Sequence, residues 1–188
     1  MPSPNGVCRM DLLLRLSRLI DGLNDRFAGI AKWAVLASCV ISASNAVVRY
    51  LANYSSNAWL EIQWYMFGAC VMLGAAQVLK LNEHVRVDVF YGLYSGKVKA
   101  IIDLLGLLLF LMPVMVIMIW FSWPLFLQMY KSGEMSSNSG GLIRWPAMLL
   151  LPLGFTLVLI QGISEAIKRV AWLTHRYEGE FHYERPLQ

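Results

Sequence analysis

The run Leu104–Tyr130, LLGLLLFLMPVMVIMIWFSWPLFLQMY, holds 27 residues and no charge. Fully helical, it would reach about 40 Å at 1.5 Å per residue, more than the ~30 Å hydrocarbon core of a bilayer. It reads as a membrane span that must tilt, kink or break. Pro113 and Pro124 mark the places, because each removes a helix hydrogen bond. The expected span is 100–123, ending near Trp123, with a short interfacial stretch over Leu125–Tyr130.

Three further runs belong to the same class. Trp33–Val48 is uncharged within a span of about 28–50. Trp59–Leu79 is uncharged after Glu61, and Trp145–Ser164 is uncharged within a span of about 145–166, where Pro152 offers another kink. Trp33, Tyr50, Trp59, Trp64, Tyr130, Trp145 and Trp172 fall near span ends, as interfacial anchors do. The whole chain is 57% hydrophobic and 15% charged, against roughly 45–50% and 25% in soluble domains. That excludes a disordered chain, a nucleic-acid module and a disulfide-stapled secreted fold. Three cysteines, Cys8, Cys39 and Cys70, form no metal or redox spacing. No apolar segment precedes Cys8, so neither a lipoprotein nor a cleavable signal peptide is expected.

The basic residues set the orientation. Thirteen of the 16 Lys and Arg fall in the N-terminal segment, in the loop between spans two and three and in the tail 167–188; only Arg49, Lys131 and Arg144 lie in the other two loops. The positive-inside rule then places both termini in the cytoplasm.

Asp11–Ile30 is amphipathic. Leu12, Leu16, Leu19, Leu23, Phe27 and Ile30 recur every three or four residues, with Asp11, Arg15, Arg18, Asp21 and Asp25 on the other side. This predicts an interfacial helix over 11–30 that anchors on membrane lipid or packs along a partner. In the loop Lys80–Asp103, Val85, Val87 and Val89 alternate with Arg86 and Asp88. They suggest an extended stretch or a packed turn in which His84, Arg86 and Asp88 pair, with Ser95 capping the third helix. The Ser/Gly-rich loop Lys131–Arg144 reads as a plain turn or a docking edge.

Little here could do chemistry. His84, His175 and His182 all lie outside the spans, so no haem pair is expected. No phosphate loop, nucleophile elbow or metal spacing is present. No catalytic residue, cofactor or metal is expected, and an enzyme is not. The strict span interiors carry no ionisable group, unlike most carriers. Glu61 lies nearest, and Arg49 ends span one on the same side. Either the two form an interfacial ion pair, or Glu61 couples protons in a stand-alone four-span transporter or exporter. A membrane redox subunit is a third reading.

A set of short motifs points further. Arg49-Tyr50 closes span one and Trp59-Leu60-Glu61 opens span two, which contains Gly74-Ala75-Ala76. His84-Val85-Arg86-Val87-Asp88, Gly133-Glu134-Met135-Ser136 and Pro152-Leu153-Gly154-Phe155 follow. In this order and topology the chain resembles the small membrane subunit of tripartite ATP-independent periplasmic (TRAP) transporters over about Asp11–Arg169. The stretch 136–146 departs from the usual pattern and suggests a subgroup. The resemblance implies a single all-α domain over 1–188, with four transmembrane helices and an interfacial helix in the bacterial inner membrane. It implies a non-catalytic scaffold for a sodium-coupled importer of an organic acid. The partners it implies are a large multi-span membrane subunit and a periplasmic binding protein, with no nucleic acid. The chain ends at Gln188, as expected of a subunit not fused to the large one. Arg49, Glu61, His84, Arg86, Asp88, Glu134 and Arg144 become candidate structural or partner-interface residues.

Overall fold

A computed structural model describes residues 4–54, 56–82 and 94–174, with side chains from residue 10 onward. Four helices follow one another up and down: α1 Pro4–Ala52, α2 Asn57–Leu81, α3 Gly96–Ser132 and α4 Trp145–Leu173. Each is long and apolar enough to cross a bilayer. The protein is an all-α, multi-pass membrane protein. Its large apolar side chains look outward: Phe110, Trp120 and Phe121 are each more than 70% exposed, a surface that only lipid or another membrane helix can cover.

Each helix runs beyond the span expected of it. The interfacial helix 11–30 and span one are a single unbroken α1 of 49 residues, about 74 Å long. The helix that carries span three runs past Trp123. Pro124 lies inside α3, which continues to Ser132 and ends on Gly133 in the left-handed conformation, φ +61°. The stretch Leu125–Tyr130 is therefore helical and continuous with the rest of α3. The irregularity sits ahead of Pro113 instead. Leu107–Leu111 form a π-helical turn in which the Met112 N–H reaches back five residues to the Leu107 carbonyl. Pro113 has no N–H to give Leu109, and the widened turn absorbs that loss. The helix α4 reaches Leu173, so the residues expected to begin the tail are helical. Ser95 stands at the N-cap of α3 by its extended backbone, but its side chain makes no capping bond.

The helix α4 is the hub: it packs against α1, α2 and α3, while α3 leans chiefly on α4. Small residues make the approaches close. Gly74 lies opposite Ala31, and fully buried Ala76 joins Ala31, Leu73 and Leu157 in the central cluster. At Gly154 the α2 and α4 backbones nearly touch. A Cβ there would meet the Met72 Cβ at 2.7 Å and the Met72 carbonyl oxygen at 2.8 Å. Close backbone approach of this kind is how membrane helices gain packing where burial from water gives no drive.

Gly154→Ala should therefore cost about 1–3 kcal/mol through forced separation of α2 and α4. Gly106→Ala, which meets nothing within 4 Å, should be neutral. Thermal unfolding followed by size-exclusion chromatography in mild detergent distinguishes the two.

Candidate functional site

Two polar assemblies tie the bundle at opposite ends. The first is at the α1–α2 turn. The segment after α3 folds into a small hairpin. The Arg144 N–H bonds the Glu134 carbonyl at 3.0 Å and the Ser136 N–H bonds the Leu142 carbonyl at 2.9 Å, with Met135 opposite Ile143. Its tip turns at Asn138–Gly141, where Gly140 has φ +72°. The base is closed by an ion pair between Glu134 and Arg144 at 2.7 Å.

One face of α2 holds this hairpin. Asn57, Glu61 and Tyr65 recur every four residues and so lie in a row. Asn57 Nδ2 donates to the Ser139 carbonyl at 2.9 Å, and the Tyr65 hydroxyl donates to the Ile143 carbonyl at 3.2 Å. Between them Glu61 is 4% exposed. Its carboxylate accepts from the Ser136 hydroxyl, from Asn138 Nδ2 at 2.8 Å and from the Leu142 N–H at 2.7 Å. Gly141 makes room: a Cβ there would come within 2.6 Å of the Ser136 Cβ and 2.8 Å of the Glu61 Oε1.

The expected Arg49–Glu61 pair does not form. Glu61 lies on the α2 face turned to the hairpin, and three hairpin donors occupy its oxygens. Arg49 is exposed in the last turn of α1, where a cation suits the negative end of the helix dipole. Glu134 and Arg144 come together as described. His84, Arg86 and Asp88 lie outside the described residues.

The second assembly is at the other end, and none of its members was among the expected site residues. In α4, Gln161, Ser164, Glu165, Lys168 and Arg169 fall at helical spacing on one side. Facing them across α1 are Ser17, Asp21 and Asn24. Asp21 Oδ1 accepts from Gln161 Nε2 and from the Ser164 hydroxyl, each at 2.9 Å, and Oδ2 meets Lys168 Nζ at 2.7 Å. Asn24 Nδ2 donates to Gln161 Oε1 at 2.6 Å. The Ser17 and Ser164 hydroxyls are 2.7 Å apart; Ser164 gives its proton to Asp21, so Ser17 donates to Ser164. Glu165 binds Lys168 at 2.8 Å and Arg169 at 2.9 Å, and Arg169 reaches Asp103 of α3 at 3.5 Å. Ser17 and Asn24, seven steps apart on α1, meet Ser164 and Gln161, three steps apart on α4. The side chains, Asn24 and Gln161 above all, reach along the helices to close that difference. The polar stripe on α4 was visible as spacing in the sequence; its partners, some 140 residues earlier, were not.

Residues 26–171 match the family described as Tripartite ATP-independent periplasmic transporters, DctQ component. The chain belongs to the DctQ family. No curated protein and no solved structure shows a significant match. The DctQ match takes in the hairpin, the row Asn57–Glu61–Tyr65 and the α4 half of the second assembly, whereas Ser17, Asp21 and Asn24 precede it. The family is a transporter component, and with four apolar helices it places the protein in the inner membrane as a multi-pass chain.

Glu61→Ala should release the hairpin, and Gly141→Val should expel it from α2. Hydrogen exchange of the 136, 142 and 144 amides should then rise in either variant while the rest of the bundle keeps its protection. For the second assembly, Arg169→Ala should destabilise by about 1–3 kcal/mol, because it takes one of two cations from buried Glu165 and cuts the link from α4 to Asp103 of α3. Ser17→Cys with Ser164→Cys, in a background lacking Cys8, Cys39 and Cys70, should form a disulfide under mild oxidation. Mass spectrometry of the tryptic crosslink checks that.

Proposed function

We propose that this chain is the non-catalytic scaffold subunit of a sodium-coupled TRAP importer for an organic acid anion. On this reading it braces a large multi-span subunit that carries the sodium and substrate sites. A periplasmic binding protein delivers the substrate. The observation that carries the proposal is that the ionisable groups drawn into the bundle are committed to their own chain. Glu61 serves three hairpin donors, and Asp21, Asp103, Glu165, Lys168 and Arg169 serve one another. A proton- or ion-coupling group must exchange its partners during transport; these hold helices in place instead. Fixed helices with an apolar exterior suit a part that stands still while another moves.

The charge bias of the loops supports cytoplasmic termini and a periplasmic hairpin. The hairpin then offers Met135, 61% exposed, and Ile143 beside it as an edge for the binding protein. Exposed Arg49, together with His84, Arg86 and Asp88, are the residues we assign to contact with the large subunit.

A tagged pull-down from membranes in mild detergent tests the proposal. We expect a much larger polytopic membrane protein in about equal amount. Recovery of this chain alone, stable and oligomeric, would instead favour a carrier that works by itself.

A further inference from the structure

The first helix carries more charge outward than its composition suggests. Between Asp11 and Lys32 it holds Arg15, Arg18, Arg26 and Lys32 against Asp11, Asp21 and Asp25. Two of those acids are drawn away by other helices: Asp21 by Lys168 at 2.7 Å and Asp25 by Lys80 at 2.6 Å. The four cations are exposed and make no ion pair among the described residues. What faces outward is therefore a cationic rim tempered by Asp11 and by Asp25, whose side chain stays half exposed beside Lys80.

That rim borders an apolar stripe. Leu12, Leu16, Leu19, Leu23 and Ile30 are 42–72% exposed, turned away from the face that binds α4. Arg15 stands between Leu12 and Leu19, three residues back and four ahead. Arg26 stands likewise between Leu23 and Ile30, so each guanidinium can rise from the leucines toward the headgroups. Gly22 lies four residues from both Arg18 and Arg26, and nothing approaches within 4 Å of a Cβ there. This leaves a notch in the rim with a guanidinium on each side and Asp25, held by Lys80, at its edge.

We propose that this face binds anionic phospholipid, with the acyl chains along the leucine stripe and the phosphate at the Gly22 notch between Arg18 and Arg26. Leucines with a guanidinium border match a charged amphiphile; a partner helix would match the leucines but leave the guanidiniums unpaired. The inference goes beyond the transport role and does not depend on it.

The test is native mass spectrometry of the purified full-length protein in mild detergent, titrated with phosphatidylglycerol or phosphatidylcholine. Phosphatidylglycerol should be retained preferentially. Arg18→Gln and Arg26→Gln should each weaken it roughly fivefold, equivalent to about 1 kcal/mol per basic residue at an anionic surface. Gly22→Leu, which fills the notch without removing charge, should weaken it too. Lys131→Gln at the opposite end should leave it unchanged. All these positions are exposed, and matching thermal unfolding confirms that the variants fold. Equal retention of the two lipids, or arginine variants that bind as the parent does, would overturn the proposal. So would crosslinking of Leu19→Cys to a protein partner in the membrane complex, which would assign the face to that partner.

Discussion

Lys168 and Arg169 are adjacent in sequence, and both are drawn into the bundle, with side chains 13% and 4% exposed. Neighbours on a helix point about 100° apart, so beyond the Glu165 they share the two cations face different neighbours. Two further helices supply them. Lys168 is met by Asp21 of α1 and Arg169 by Asp103 of α3, while Glu165, one turn back on α4, lies within reach of both. This pair of cations therefore fixes on which sides of α4 the other two helices come in. It also sets where α1 lies along α4, because Asp21 meets Lys168 while Ser17 and Asn24 meet Ser164 and Gln161.

The opposite end is fastened by different means. There a loop is fixed onto a helix, through the row Asn57, Glu61 and Tyr65 and the backbone and side-chain groups it faces. Between the ends the contacts are apolar and close, at Gly74–Ala31 and Gly154–Met72. In lipid, apolar surface gains little by turning inward, so direction must come from polar partners and from backbone proximity. The bundle uses the first at its ends and the second in its middle. Arg144 links the two kinds of contact at the hairpin end. Its side chain closes the hairpin on Glu134, and its carbonyl receives the Met148 N–H at the start of α4.

The four helices were legible because uncharged runs of this length have few alternatives. Their limits were not. A span four of about 145–166 closes just past the first charge, Glu165, and gives no role to the polar positions from Gln161 to Arg169. The amphipathic pattern of 11–30 showed two faces but not which one the protein would use. In water the leucines would turn inward. Beside lipid they turn out, and Ser17, Asp21 and Asn24 turn in, because a hydrogen-bonding side chain gains most where a partner excludes both lipid and water. Glu61 was recognisable as an odd acid. The nearest cation in sequence, Arg49, was a natural partner across a short turn, yet the donors it serves lie some 75 to 81 residues on. Sequence proximity says little about a carboxylate's partner when a loop can offer backbone N–H groups.

The same charges shape the inside and the outside of α1. Each acid that reaches inward to Lys168 or Lys80 leaves an arginine on the outer face without its intrahelical counterpart. A helix whose Asp and Arg residues satisfied one another would have no reason to choose a neighbour or a surface. Here the carboxylates are spent on other helices, so the arginines remain available to whatever negative charge lies alongside. Packing of α1 against α4 and an attraction of its outer face for anions are then linked. Loosening the inner contacts would return Asp21 to the helix surface, free Asp25 from Lys80, and diminish the outer charge at the same time. An α1 that is 49 residues long and held against α4 by three polar side chains can therefore be ordered from both sides. The body of the protein fixes one face and the membrane edge fixes the other.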